Sequence, residues 1–203
     1  MSRRFGRPLA VTFFAAFAMF ALPAPAHAHL VTTGLGPLYD GITHLFMSPD
    51  DLVPVLALAL LAGLNGAAAG RWALFLLPAS WFAAGLAGYA AGPGAVPQAV
   101  TIASFLLLGG LTALDRRLPP TVIATLAVVV GALHGWLNGT SIASDESARL
   151  GVAGITASVF VVVALVSAAV VSLPAAWMRI AVRVIGSWIA AIGLLLLGWS
   201  LRA

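Results

Sequence analysis

Six long apolar stretches constrain this chain more than any other feature. They run over approximately 51–69, 72–91, 96–114, 120–138, 150–172 and 180–201, and each holds at most one charged residue. About 20 apolar residues in a helix span the hydrocarbon core of a bilayer, and a helix satisfies every backbone N–H and C=O within itself. The breaks between stretches are built from turn residues and arginine: Gly66 to Arg71, Gly92 to Pro97, Asp115 to Pro120, Asn138 to Arg149, and Ser172 to Arg183. Pro119 and Pro120 suit the start of a helix, whose first turn has no use for the missing N–H groups. Only 8% of the 203 residues are charged against 62% hydrophobic, whereas a soluble chain carries about 25% charged residues. That excludes a cytosolic enzyme, a disordered tail and a nucleic-acid binder, despite the formal net charge of +4. Cysteine is absent, which removes disulfides, thiolate metal sites and Cys nucleophiles.

Residues 1–28 have the three parts of a secretory signal. Arg3, Arg4 and Arg7 form a basic start, Leu9 to Leu22 an apolar core, and Pro23 breaks the helix ahead of Ala26-His27-Ala28. Cleavage after Ala28 leaves His29 as the mature N-terminus, able to chelate a metal through its amine and ring; alternatively His29 simply belongs to the cleavage region. With the N-terminus outside and six spans following, the inner loops hold Arg71, Arg116, Arg117, Arg179 and Arg183, and the outer side holds only Arg149 and Arg202. This is the arrangement that the positive-inside rule requires. Trp72, Trp136, Trp177 and Trp199 fall near span ends as interfacial anchors, and Trp81 and Trp188 fall mid-span as packing residues. The expected fold is an all-α polytopic membrane bundle. Six transmembrane helices form one domain over 29–203, a short periplasmic helix or re-entrant segment precedes the first span, and both mature termini are periplasmic.

That topology gathers the acids Asp40, Asp50, Asp51, Asp145 and Glu146 outside, leaving Asp115 inside. Between the signal and the first span, Asp40 and His44 are four residues apart and share a helix face. Leu38, Ile42, Leu45 and Phe46 are placed to hold that helix against the bundle. Ser48 is then expected as an N-cap, Pro49 as the first helical residue, and Asp50 and Asp51 as acids at the positive end of the helix. Capping alone would account for either acid. In the fourth span, His134 and Asn138 are one turn apart beside Gly131, Gly135 and Gly139, whose spacing lets a neighbouring helix approach closely. An ionisable residue inside a membrane is a functional candidate by default, and a purely structural hydrogen bond between helices is the alternative for His134. Imidazole and carboxylate ligands without sulfur suit Ni²⁺, Co²⁺, Zn²⁺ or Cu²⁺. The candidate ligands on the outer side are therefore His29, Asp40, His44, Asp50, Asp51, His134 and Asn138.

The run Gly41-Ile-Thr-His44-Leu-Phe-Met-Ser-Pro-Asp50-Asp51 resembles the first motif of the HupE/UreJ family: a His, five intervening residues, then Asp-His at the head of the first span. His134-Gly135-Trp-Leu-Asn138-Gly139 resembles its second motif, His-Gly-x-x-His-Gly. The resemblance extends over nearly the whole chain. It implies a bacterial inner-membrane protein connected with nickel or cobalt supply to hydrogenase and urease, and it carries the motif roles onto His44, Asp50 and His134. Asp51 and Asn138 depart from the pattern, each standing where the family has a His, and Asp40 is the substitute ligand that its spacing suggests. The expected function is a permease for a divalent transition metal, Ni²⁺ first and Co²⁺ or Cu²⁺ after it, with the ion as substrate and no prosthetic group. The alternative is a non-transporting, membrane-anchored accessory protein that binds metal and hands it to a metalloenzyme-maturation partner or a periplasmic carrier. A hydrolytic enzyme ranks last, because neither a nucleophile setting nor a His-Glu-x-x-His helix is present.

Overall fold

Proline and glycine set most of the helix ends in the computed structural model, which describes residues 33–95, 97–143 and 148–202. The elements, in order, are α1 (Pro37–Met47), α2 (Pro49–Leu64), α3 (Ala67–Ala91), α4 (Gln98–Leu114), α5 (Pro120–Ser141), α6 (Ala148–Val171) and α7 (Ala176–Ser200). Pro37, Pro49 and Pro120 occupy first-turn positions, where the ring removes a donor that has no partner in any case. Gly66 precedes α3 with φ near +95°, a backbone conformation that side chains with a Cβ rarely adopt. The signal sequence over 1–28 and His29 lie outside the described residues, as do Asp145 and Glu146.

Helices α2 to α7 fall on the six apolar stretches, with shifts at several ends: α5 runs on to Ser141, and α7 starts at Ala176, so Arg179 and Arg183 lie within it and not in a loop. The first turn is only Asn65 and Gly66, not Gly66 to Arg71. Helix α2 is therefore shorter than expected, and Arg71 sits one turn inside α3 with its side chain exposed. Four helices (α3, α5, α6 and α7) are long and apolar enough to cross a membrane by themselves. Helices α1 and α2 pass that test only as a pair, bent by 74° at Ser48, and α4 is a shorter apolar helix of 17 residues. At 1.5 Å per residue the 16 residues of α2 cover about 24 Å, less than the roughly 30 Å hydrocarbon core.

The position of α2 explains how so short a helix is accommodated. It packs against all six of the other helices, and Val55, Ala57, Leu58, Ala59, Leu61 and Ala62 are completely buried. A helix that is apolar all round belongs in the middle of a bundle, and one that touches little lipid need not match the bilayer thickness.

Three helix pairs surround it, each brought together by glycine. On α5, Gly131, Gly135 and Gly139 lie against the α3 backbone, so a Cβ at Gly135 would overlap the Trp81 carbonyl and one at Gly139 the Gly85 carbonyl. Gly41 of α1 meets Gly151 of α6, and Gly154 meets Leu38. Gly109 of α4 meets Gly186 and Ala190 of α7. The close approach expected at the α5 glycines is thus present, with α3 as the partner. Trp188 differs from expectation: it is 69% exposed on α7 and packs no core, because α7 turns only Val182, Gly186, Ile189 and Gly193 inward.

Alternation of the helices places two sets of ends at opposite poles. At one pole, Arg179 Nη2 donates to Asp115 Oδ1 at 2.8 Å and to the Leu64 carbonyl at 3.2 Å. Asn65 Oδ1 accepts from the Leu118 N–H at 2.7 Å. The end of α2, the α4–α5 turn and the start of α7 are thereby tied together. Arg179 is half-exposed, so the ion pair itself is worth at most about 1 kcal/mol, and the bond to a helix C-terminal carbonyl adds a similar amount. We expect Arg179→Gln to lower stability by about 1–2 kcal/mol in a denaturant titration of purified protein, with little further loss when Asp115→Asn is added. Additive losses from the two substitutions would show that the contact is not formed.

Candidate metal centre

The opposite pole begins at the sharp bend between α1 and α2. Ser48 holds the N-cap position of α2 as expected, but its hydroxyl makes no cap bond. It lies instead 3.4 Å from His44 Nε2. The Ser48 carbonyl accepts from the N–H groups of Asp51 and Leu52, and the Asp51 carboxylate is turned into the bundle and not onto the helix end. Pro54, one turn further on, has no N–H to return to the Asp50 carbonyl.

Asp51 is the hub of a buried network. Its Oδ1 lies 2.9 Å from His134 Nδ1, and its Oδ2 accepts from Asn138 Nδ2 at 2.9 Å. Asn138 sends its other amide hydrogen to the His134 carbonyl, also at 2.9 Å. The second ring nitrogen of His134, Nε2, lies 3.0 Å from Ser104 Oγ. Trp81 stacks on the imidazole, with centroids 5.7 Å apart and planes inclined by 22°. Four helices therefore meet at one imidazole: α2 supplies the carboxylate, α3 the indole, α4 the hydroxyl and α5 the ring itself. Gly135, next to His134, lets α3 approach closely enough for Trp81 to reach the ring.

One atom in this network lacks a partner. Both amide hydrogens of Asn138 are committed to oxygen acceptors, which fixes the orientation of the amide. Its Oδ1 is the one buried side-chain polar atom among the described residues without a hydrogen-bond partner. An unpaired buried acceptor costs about 1–3 kcal/mol, and such atoms in native structures call for an explanation, an ion among them. Oxygen and imidazole donors without sulfur are chemically suited to a divalent cation of the first transition row.

The expected ligands separate into two groups. Asp51, His134 and Asn138 are brought together, while Asp50 stands exposed one residue from Asp51. His44 is buried on α1 with Ser48 as its neighbour. Asp40 accepts from both the N–H and the hydroxyl of Thr33, so it fastens the segment before α1. The inward face of α1 is formed by Gly41, His44 and Leu45, whereas Leu38 and Phe46 are exposed contrary to expectation. No set of three or more His, Cys, Asp or Glu side chains is gathered into a cage among the described residues. Two participants escaped the sequence reading. Ser104 carried no motif or spacing signal, and Trp81 was assigned to packing alone.

The family described as HupE / UreJ protein matches residues 16–196. No curated protein and no solved structure matches the chain.

Proposed function

This chain belongs to the HupE/UreJ family, and from that premise we propose that it is a membrane permease for a divalent transition metal ion, Ni²⁺ foremost. The family is associated with nickel and cobalt handling and is of the accessory and transporter type, not catalytic. The observation that carries the proposal is the unpaired Asn138 oxygen beside a buried carboxylate–imidazole pair. A divalent ion with its charge intact is a partner that such an oxygen can bind and that a lipid-facing helix would never meet. Asp50 and Asp51 at the head of α2 add a local negative potential that draws cations from solution. Arg71, Arg116, Arg117, Arg179 and Arg183, which lie in a turn or near the starts of helices, support by the positive-inside rule a cytoplasmic Asp115–Arg179 pole and a periplasmic face at Asp50 in a bacterial inner-membrane protein with six crossings. Co²⁺ and Cu²⁺ are the next candidates by the same ligand chemistry.

Liposomes carrying purified protein and an internal nickel-sensitive dye test this directly. Nickel entry at a rate above that of empty liposomes is the expected outcome. Stoichiometric binding with no entry would instead establish an accessory protein that holds the ion for a partner. Absence of both would refute a metal function for the site.

A further inference from the structure

The first turns of α3 read Ala67-Ala-Ala-Gly-Arg71-Trp72-Ala-Leu-Phe75. Ala68, Arg71, Trp72 and Phe75 recur at the spacing that puts side chains on one helix face. Together they line a groove of about 330 Å³ on the outside of the bundle, where Trp72 is 51% and Phe75 61% exposed. We propose that this groove binds a phospholipid with a net-negative headgroup, the phosphate on Arg71 and an acyl chain along Trp72 and Phe75. The groove lies at the same end of the bundle as the Asp115–Arg179 pair, away from the metal centre, and is independent of the metal reading.

Charge selects the headgroup. None of the ion pairs among the described residues includes Arg71, whereas Arg179 and Arg183 are bonded to oxygens at the ends of α2 and α4. Long helical side chains lean toward the helix N-terminus, so an arginine in the second turn reaches back toward the end of the span, over the exposed Ala67 and Ala68. Its guanidinium offers a phosphate two parallel N–H donors. No Asp or Glu occurs between residues 51 and 115, so α3 has nothing to hold the ammonium of a zwitterionic headgroup. The apolar wall selects a lipid over a free anion. Phe75 lies four residues beyond Arg71, about 6 Å deeper along the helix. Its ring meets Phe160 of α6, with centroids 6.4 Å apart and planes inclined by 53°. Phe160 stands halfway along α6 and is itself 41% exposed. Cation, indole and phenyl rings thus follow one another from the end of α3 toward the middle of the bilayer, in the order of phosphate and acyl chain. A free phosphate ion would use only the first of them.

The test uses the full chain in phosphatidylcholine vesicles that contain brominated phosphatidylglycerol or brominated phosphatidylcholine as a contact quencher of indole. The chain has six Trp, so the signal is the emission that the wild type has and Trp72→Phe lacks. Trp72 should be quenched by the anionic lipid at about one-fifth of the fraction needed for the zwitterionic one, the preference that a single arginine at the membrane surface supports. Arg71→Gln should make the two lipids equivalent. Arg117→Gln, which removes another exposed arginine of the same pole, should leave the preference intact. Should Trp72→Phe fail to reconstitute, native mass spectrometry decides: the wild type should retain phosphatidylglycerol from mixed micelles and Arg71→Gln should not. Equal quenching of the wild type by both lipids would overturn the site, as would a preference that survives Arg71→Gln or disappears in Arg117→Gln.

Discussion

Gly135→Leu is expected to prevent assembly of the bundle, leaving little or no monodisperse protein after extraction from the membrane. At this position α5 rests on the main chain of α3, and an added Cβ would overlap the Trp81 carbonyl oxygen. Overpacking of an ordinary core costs about 1–3 kcal/mol because side chains can shift. Backbone cannot shift without moving a whole helix, so the penalty here exceeds that range. The same substitution at Gly110 is the control, because nothing lies within 4 Å of a Cβ built there. Size-exclusion profiles and thermal unfolding in detergent should show a normal protein for Gly110→Leu. Equal behaviour of the two variants would mean that α3 and α5 do not approach through these glycines.

The second large effect is expected at Asp51. Asp51→Ala strips the partner from His134 Nδ1 and from one amide hydrogen of Asn138, both inside the bundle. Removing one member of a buried, hydrogen-bonded polar pair costs about 1–3 kcal/mol, and up to about 3–5 kcal/mol where both members are charged; the orphaned Asn138 amide adds to the loss. We therefore expect a loss of about 3–4 kcal/mol in chemical denaturation, accompanied by loss of nickel binding. Asp51→Asn discriminates further. A single carboxamide oxygen can satisfy the His134 N–H or the Asn138 amide but not both, so roughly half the stability loss should remain. A stability within about 0.5 kcal/mol of wild type for Asp51→Ala would show that the carboxylate faces water.

Much of the bundle was legible because bilayer helices are written in long, coarse patterns. The ends of α3 at Ala91 and α4 at Leu114 and the start of α5 at Pro120 fell where glycine, proline and arginine placed them. The α2–α3 turn was misjudged because Arg71 resembles a loop residue, whereas a long arginine side chain can lie along a helix and still reach solvent. At the site, two intramembrane polar residues on one face of α5 announced themselves by chemistry alone, as did the acids heading α2. Pairing Asp51 with His134 was beyond the sequence, since they are 83 positions apart and the contact depends on how α2 sits among its neighbours. Ser104 was illegible for a plainer reason. Serines are common in apolar helices, where they usually bond to their own backbone, as Ser167 does to the Val163 carbonyl. The inward turn of Asp51 was obscured by a rule that ordinarily holds: acids in a first turn stabilise the helix end.

The enclosure of α2 by every other helix also bears on how the protein is made. Synthesis proceeds from the N-terminus, so this short helix leaves the ribosome before five of the six helices that will surround it. Its length falls below a comfortable crossing, and it carries two carboxylates at its head. Ionised acids insert poorly from the translocon, and His134, the partner that accommodates Asp51, is translated 83 residues later. The centre of the bundle is thus among the first parts synthesised and the last to be secured. Truncated chains arrested before α5 should hold α2 loosely, exposed to membrane proteases and quality control until the imidazole arrives.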